Sequence, residues 1–248
     1  MIIRQFVFGP IQTNCYLVVC DKTRQALVID PDITKPAEKK MFFDEMARLE
    51  ADLRYIVNTH HHSDHVSGNG MLQSITGAEI LIHELDAWVL PAPWEWWSKM
   101  VHGNPERPCP ACGQGSPYIE IHEDQGKAIL GCRTCGFKFE IFASPAADRL
   151  LRHGDTILLG QIEFVVLHTP GHSAGGMCLY AQKEKVLFSG DTLFKDAAGR
   201  TDVLDGSQGD IERSVRELAK LPDDTVVYPG HGEATTIGEE KRNNPYLH

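Results

Sequence analysis

Residues 55–65 read YIVNTHHHSDH, a short apolar strand that runs directly into a cluster of histidines and one aspartate. In an extended backbone, alternate side chains point to the same side. His60 and His62 are therefore predicted to converge on one ion, whereas His61 faces away. Imidazole and carboxylate groups are suitable ligands for zinc, iron or manganese. The stretch thus predicts a metal site where a strand ends.

Asp64 and His65 follow the turn after this strand and are predicted to reach a second ion nearby. Three later segments, TPGHS, SGDTLF and YPGHG, each supply one further ligand at a strand-to-loop junction. Those ligands are His172, Asp191 and His231. A glycine directly precedes each of them and permits a tight turn. Because ligand groups commonly lie on loops at strand ends, we expect all seven residues to meet in one dinuclear site.

Hydrophobic periodicity predicts an α/β chain. Short strands fill residues 1–30, and a strand at 55–59 lies between an amphipathic helix at 35–50 and a helix at 64–76. Strand patterns return at 155–160 and 162–168, then in MCLYA and KVLFSGD, before a helix at 209–220 and a strand at 225–231. Alternation of this kind is typical of sheets covered by helices.

The composition limits the partners. The chain has 248 residues and a formal charge of −10, from 24 lysines and arginines against 34 acidic residues. Nucleic acid and anionic lipid attract basic surfaces, so we expect neither as a partner. No apolar run approaches the ~20 residues that span a bilayer. We therefore expect a cytoplasmic protein that acts on a small molecule, and the oligomeric state stays open.

Residues 91–147 differ in sequence pattern from the two parts that flank them and are predicted to form an inserted subdomain. The flanking parts, 1–90 and 148–248, are predicted to form one metallo-hydrolase domain. CPACG and CRTCG in the inserted segment place two CxxC pairs 19 residues apart. This spacing predicts a four-thiolate site in a small zinc ribbon, with iron as the alternative metal. Its ligands are Cys109, Cys112, Cys132 and Cys135. The remaining cysteines, Cys15, Cys20 and Cys178, are predicted to be buried free thiols.

Three roles are open for this insert: it stabilises itself, it shapes the substrate pocket, or it forms an oligomer contact. Its tryptophans, Trp94, Trp96 and Trp97, are either a packing platform for the ribbon or part of an apolar substrate wall, and the first is favoured.

The order HxHxDH, TPGHS, GDTLF and PGHG resembles the metallo-β-lactamase superfamily over most of the chain outside 91–147. NCYLV, GDTLFKDAAGRTD and PGHGEATTIGEEKRNNPYL are similar to short glyoxalase II-like hydroxyacylglutathione hydrolases. The resemblance implies a four-layer αββα sandwich with the site at one edge of the sheets. It implies that metal one takes His60, His62 and His172, that metal two takes Asp64, His65 and His231, and that Asp191 bridges them.

The resemblance also implies the reaction, a metal-dependent thioester hydrolysis with a hydroxyacylglutathione-like substrate. Two zinc ions, with iron or manganese as alternatives, share a hydroxide and polarise the substrate carbonyl. Asp64 orients the hydroxide or shuttles its proton. Arg200, in GRTD, either binds a substrate carboxylate bidentately or forms an ion pair with Asp202.

Other reactions on the same fold stay open. A mononuclear iron persulfide dioxygenase would use His60, His172 and Asp191 and leave the second site empty. A lactonase or a β-lactamase-type hydrolase would share the whole ligand set. A non-enzymatic adaptor is disfavoured because all seven ligands are present.

Overall fold

The computed structural model describes residues 1–103, 108–109, 112–114 and 117–248. Its strands are β1 (Ile2–Phe8), β2 (Thr13–Val19), β3 (Gln25–Ile29), β4 (Asp52–Val57), β5 (Glu79–His83), β6 (Pro117–His122), β7 (Lys127–Cys132), β8 (Lys138–Phe142), β9 (Arg149–Leu151), β10 (Thr156–Leu159), β11 (Ile162–His168), β12 (Met177–Ala181), β13 (Val186–Gly190), β14 (Leu193–Phe194), β15 (Ala197–Ala198), β16 (Val226–Pro229) and β17 (Thr235–Thr236).

The helices are α1 (Pro36–Arg48), α2 (Ser63–Val66), α3 (Asn69–Thr76), α4 (Pro93–His102), α5 (Gln208–Leu218) and α6 (Ile237–Asn243). Single 3₁₀ turns lie at Ala87–Val89, Glu123–Gln125 and Pro245–Leu247. Within the described part of the chain, no helix has the length and apolar character needed to cross a membrane.

Two six-stranded sheets carry most of the strands. The first has the order β1-β2-β3-β4-β5-β9, antiparallel from β1 to β3 and parallel from β3 onward. The second has the order β10-β11-β12-β13-β16-β17, in which β13 and β16 are the parallel pair. A short β14-β15 hairpin and the three-stranded sheet β6-β7-β8 complete the set.

The sheets pack face to face, and helices cover their outer faces. Along β2, Tyr16 and Val18 enter the core between the two sheets, whereas Leu17 joins the core under α1. This alternation follows from the two-residue period of a strand. A third core lies between the second sheet and α5, around Ile211 and Val215. The layers are therefore αββα, as predicted.

The predicted helix at 64–76 is two helices, so that prediction was wrong in its continuity. The chain breaks between α2 and α3, where the backbone N–H of Gly68 donates to the carbonyl oxygen of Pro31 at 2.7 Å. A Cβ at Gly68 would lie 2.5 Å from that oxygen, so the contact requires glycine. Close approach of the loop after β3 thus interrupts the helix.

The segment between β5 and β9 contains α4, which was not predicted, and then the antiparallel sheet β6-β7-β8 within the predicted zinc ribbon. Pro93 begins α4, a position where proline is tolerated because its missing N–H has no partner within the helix. Residues 104–107, 110–111 and 115–116 of the predicted insert lie outside the described residues. The insert limits, 91 and 147, stay a prediction.

Mutation of Phe188 is a test of the hydrophobic core between the two sheets. Its side chain is fully buried and lies 5.2 Å from the ring of Tyr16, centroid to centroid. We expect Phe188→Ala to lower the free energy of unfolding by about 3–5 kcal/mol, because the truncation leaves a cavity. Leu158→Ala, at a side chain that is 62% exposed, should change it by less than about 0.5 kcal/mol. Urea denaturation at equal metal content measures both, and equal losses would contradict the layered core.

Candidate dinuclear metal site

The seven predicted ligands lie together where strands of both sheets end. In the first sheet β4 ends at Val57, three residues before His60. In the second sheet β11, β13 and β16 end at His168, Gly190 and Pro229, and the other ligand loops follow them. Ligands from distant parts of the sequence therefore meet at one edge of the sandwich.

His60, His62 and His172 form the first cluster. Nδ1 of His62 lies 3.0 Å from Nε2 of His60 and 2.9 Å from Nε2 of His172. Burial, and then the neighbouring histidines, hold the pKa values of His60 and His62 well below the usual range. These two rings are therefore neutral, and the ligand nitrogens of the three histidines lie within 4.8 Å of one another. The neutral ring is the state in which imidazole binds a metal ion.

Asp64, His65 and His231 form the second cluster. Oδ2 of Asp64 lies 3.0 Å from Nε2 of His65 and 3.3 Å from Nε2 of His231. Burial alone would raise the pKa of Asp64, but these two histidines outweigh it and the pKa is lowered. The hydroxyl of Thr13 donates to the same Oδ2 at 2.9 Å. Asp64 is thus an ionised carboxylate in a fixed orientation.

Asp191 lies between the two clusters. Its Oδ2 is 3.4 Å from Nε2 of His172 and 3.6 Å from Nε2 of His231, so one carboxylate contacts both. Its Oδ1 is buried and has no hydrogen-bond partner among the residues that the structure describes. A buried acceptor without a donor costs about 1–3 kcal/mol. The donor set and this unpaired oxygen fit two divalent cations bridged by Asp191.

Groups outside the ligand set orient two of the histidines. Nδ1 of His65 lies 2.9 Å from Oδ2 of Asp30, and Nδ1 of His172 donates to the carbonyl oxygen of Arg200 at 2.8 Å. Asp30 also accepts from the backbone N–H and the hydroxyl of Thr59. Contacts of this kind orient a ligand ring and would leave its Nε2 for a metal ion. The sequence analysis missed Asp30, whose signal is its place just after β3, beside β4.

His61 faces away from the clusters, as predicted, and joins a second buried network. Its Nε2 lies 3.2 Å from Oδ2 of Asp205, which also accepts from the backbone N–H of Ala174. Burial would lower the pKa of His61, but Asp86 and Asp205 raise it above its usual value. Asp86 and Asp205 were not predicted. They hold together the loops that carry the first cluster.

Asp86 makes the other half of this network. Its carboxylate accepts from the backbone N–H of His61 at 3.2 Å, the hydroxyl of Ser173 at 2.8 Å and the backbone N–H of Gly175 at 2.6 Å. The loop after β4 and the loop after β11 are thereby joined next to their ligands.

Arg200 lies at the mouth of the site and is paired. Its Nε and Nη2 donate to the two carboxylate oxygens of Asp202, both at 2.6 Å. This is the ion pair that the sequence left as one of two alternatives. The same arginine lines the cavity described below.

The four predicted ribbon cysteines converge. Their sulfur atoms all lie within 4.8 Å of one another, at Cys109, Cys112, Cys132 and Cys135. Gly113 and Gly136 follow the second cysteine of each pair with φ of 66° and 75°, and their N–H groups donate back to the carbonyls of the first cysteines. The backbone N–H of Cys135 contributes most to lowering the pKa of the Cys132 thiol to about 6. Four sulfurs at these distances fit one tetrahedral ion.

The other three cysteines are free thiols in the core, as predicted: Cys15, Cys20 and Cys178. Burial raises the pKa of the Cys15 and Cys178 thiols, that of Cys178 to about 11. These two therefore behave as small apolar side chains.

A cavity of about 990 Å³ opens over the ligand clusters. Five ligands line it: His62, Asp64, His172, Asp191 and His231. Ile11, Phe194, Arg200 and Val203 also line it, together with described residues of the segment between β5 and β9. The volume is that of an ordinary small-molecule site.

Fold and site together define a metal-binding αββα sandwich. The sequence profile of the metallo-beta-lactamase superfamily matches residues 8–231. The chain therefore belongs to this superfamily, most of whose members are metal-dependent hydrolases that bind divalent metals, typically zinc.

Several relatives match nearly the whole chain, among them the following two. An uncharacterised protein of Aquifex aeolicus is 34% identical over 99% of this chain and 97% of its own. The hydroxyacylglutathione hydrolase GloC of Haemophilus influenzae is 30% identical over 95% of this chain and 93% of its own. The chain is thus similar to a glyoxalase II-type enzyme over its full core.

Two solved structures are also similar. The BLEG-1 B3 metallo-beta-lactamase has a TM-score of 0.76 at 30% identity, and the match covers 99% of both chains. TTHA1623, solved in a di-iron-bound form, has a TM-score of 0.73 at 27% identity over 98% of this chain and 100% of its own. The same fold therefore holds two metal ions in a relative.

Asp30→Asn tests the positioning of the second cluster. Asp30 has φ of 51°, which asparagine tolerates, so the variant is expected to fold. Loss of the carboxylate beside His65 should weaken zinc binding at Asp64, His65 and His231 by about 10–100-fold. Chelator competition measures this, with Asp44→Asn on the exposed face of α1 as the control. Unchanged zinc affinity in Asp30→Asn would show that Asp30 does not position the ligand.

Proposed function

We propose that this protein is a dinuclear metal-dependent thioester hydrolase. The observation that carries the proposal is the pair of complete ligand clusters, each with three residues, joined by Asp191. A mononuclear dioxygenase needs only one such cluster and gives no reason for Asp64, His65 and His231 to be buried together. Similarity to the GloC hydroxyacylglutathione hydrolase supports the thioester class.

Bound in these clusters, two divalent cations would supply a water of lowered pKa and a Lewis acid for the carbonyl. The chain's own groups do the rest. The neutral rings of His60 and His62 bind without carrying charge into the site. Asp64, oriented by the hydroxyl of Thr13, is an acceptor-only carboxylate that would orient the attacking water and accept its proton. No serine or cysteine nucleophile is needed.

β-Lactam hydrolysis is the second candidate, because the similarity to the BLEG-1 B3 metallo-beta-lactamase covers 99% of both chains. A β-lactam and a thioester both present an activated carbonyl to the same ligands. The two activities differ in the leaving group, an amine held in a ring or a free thiol. Direct comparison of the two substrates therefore separates them.

We also propose that the four ribbon cysteines hold one structural zinc and that the protein is cytoplasmic. A small three-stranded sheet has little hydrophobic core of its own and needs a metal ion or a covalent cross-link to be stable. The seven cysteines form no disulfide in the described part of the chain, which suits a reducing compartment. The acidic charge of −10 supports a small-molecule substrate over nucleic acid.

Metal analysis with an activity assay tests the proposal. We expect about three zinc ions per chain, two in the clusters and one in the ribbon, together with hydrolysis of S-lactoylglutathione. Nitrocefin turnover measures the second candidate on the same preparation. About one iron and one zinc per chain, without thioester turnover, would contradict the hydrolase and make persulfide oxidation the next assay.

Asp64→Asn tests the role of this carboxylate. The substitution keeps the shape of the side chain but removes its charge, so we expect kcat for thioester hydrolysis to fall by at least about 100-fold. One metal ion per chain should also bind more weakly, since Asp64 belongs to the second cluster. Asp202→Asn, the same substitution in the cavity outside the clusters, is the matched control and should keep the full metal content. Similar kcat values in wild type and Asp64→Asn would overturn this role.

A further inference from the structure

One wall of the cavity is aromatic and apolar, and it comes from the segment between β5 and β9. Six side chains form it: Trp96, Trp97, Met100, Leu130, Phe137 and Phe139. The ligands His62, Asp64, His172, Asp191 and His231 line the same cavity. A substrate whose reacting carbonyl lies at the ligands therefore places one of its two arms against this wall.

The wall is attached to the ligand loop. The ring of Trp96 packs against the ring of His62, with centroids 5.2 Å apart, and its indole N–H donates to Asp205 at 3.2 Å. The indole N–H of Trp97 donates to the hydroxyl of Ser63 at 3.1 Å. Ser63 directly follows His62. The wall is thus held at a set distance from the reacting centre, as a specificity surface must be.

The charges of the cavity do not match glutathione. Glutathione carries two carboxylates, which in water-excluded sites are bound by lysine or arginine. Among the lining residues that the structure describes, Arg200 is the only lysine or arginine, and Asp202 already binds it bidentately. Among the described lining residues, an apolar group therefore finds aromatic and aliphatic side chains, whereas a dianionic carrier finds one arginine that is already paired.

We infer that the aromatic wall binds an apolar acyl group, so that the preferred substrate is a thioester of a medium-length aliphatic or an aromatic acid. This inference rests on the proposed thioester hydrolysis and names its substrate class. Each methylene that is transferred from water to such a wall favours binding, and discrimination of ten-fold or more per group is ordinary in apolar pockets. A lactoyl group is too short and too polar to use the wall.

Binding of unreactive analogues tests the inference without catalysis. The metal-loaded full chain is titrated calorimetrically with S-hexyl-N-acetylcysteamine and with S-(2-hydroxypropyl)-N-acetylcysteamine, two thioethers that have no thioester carbonyl. We expect the hexyl compound to bind with a Kd at least about ten-fold lower, because it alone covers the wall. Equal Kd values would overturn the inference.

Hydrolysis of the matching thioesters separates this inference from the proposed function. Hexanoyl-N-acetylcysteamine should show kcat/KM at least about ten-fold above that of lactoyl-N-acetylcysteamine. Turnover of both thioesters at equal kcat/KM, with equal binding of the two thioethers, would overturn the inference and leave the hydrolase standing. Tight hexyl binding with no turnover of any thioester would overturn the hydrolase and leave the apolar wall standing.

Phe139 and Phe142 provide a matched pair on β8. Phe139 lines the cavity and Phe142 does not. Phe139→Ala should reduce the preference for the hexyl compound to about three-fold or less, whereas Phe142→Ala should keep it. Phe139→Leu preserves most of the apolar volume and covers the case in which the alanine variant does not fold. Full preference in folded Phe139→Ala and Phe139→Leu would show that this wall does not bind the acyl group.

Discussion

The constraint on which the rest depends is the crowding of three carboxylates and five imidazoles into one small volume: those of Asp30, Asp64 and Asp191, and those of His60, His62, His65, His172 and His231. Burial of charge is expensive unless opposite charges compensate it. Here the chain separates the roles: His60 and His62 are kept neutral, whereas His65 has a raised pKa because Asp64, Asp30 and Asp191 outweigh its burial. The first cluster therefore offers uncharged donors, and the second supplies the anionic charge that two divalent cations require. Oδ1 of Asp191 is buried and has no hydrogen-bond partner among the described residues, so it remains available to a metal ion.

The close packing of the ligands requires glycine at the backbone positions that directly precede three of them. Gly171 has φ of 133° and Gly190 has φ of 49°, and a Cβ at Gly190 would lie 2.4 Å from the hydroxyl of Thr59. Gly230 has no left-handed φ, but a Cβ there would lie 2.2 Å from Oδ1 of Asp191. The three glycines that precede ligands thus serve two purposes, tight turns at the first two and close approach to the bridging carboxylate at the third. Sequence analysis offered only the turn for all three.

The local sequence pattern was sufficient to predict the metal ligands, but not the acidic residues that contact the histidines. His60 and His62 follow from the two-residue period of a strand, and the glycine-preceded ligands follow from their strand ends. Asp30 and Asp205 act on His65 and His61 from 35 and 144 residues away, and the sequence near each acid does not show which histidine it contacts. The division between α2 and α3 depends on Gly68 together with the distant carbonyl of Pro31, so the residues of the predicted helix alone did not show it. Features that depend on contacts between distant parts of the sequence could therefore not be predicted from periodicity.

Two alternatives were open for the tryptophans of the insert, a packing platform for the ribbon and a substrate wall, and the structure shows that the two are not exclusive. Trp97, Phe137 and Phe139 belong both to the small core of the ribbon and to the lining of the cavity. A sheet of three short strands buries few residues, so each aromatic side chain has one face for the ribbon and one for the cavity. Cys109 also lines that cavity, which places the thiolate cluster beside the wall that it would stabilise. If the four cysteines hold an ion, its removal would therefore disturb the aromatic wall before the ligand clusters, where Asp30 and the carbonyl of Arg200 contact the ligands and Asp86 joins the loops that carry them.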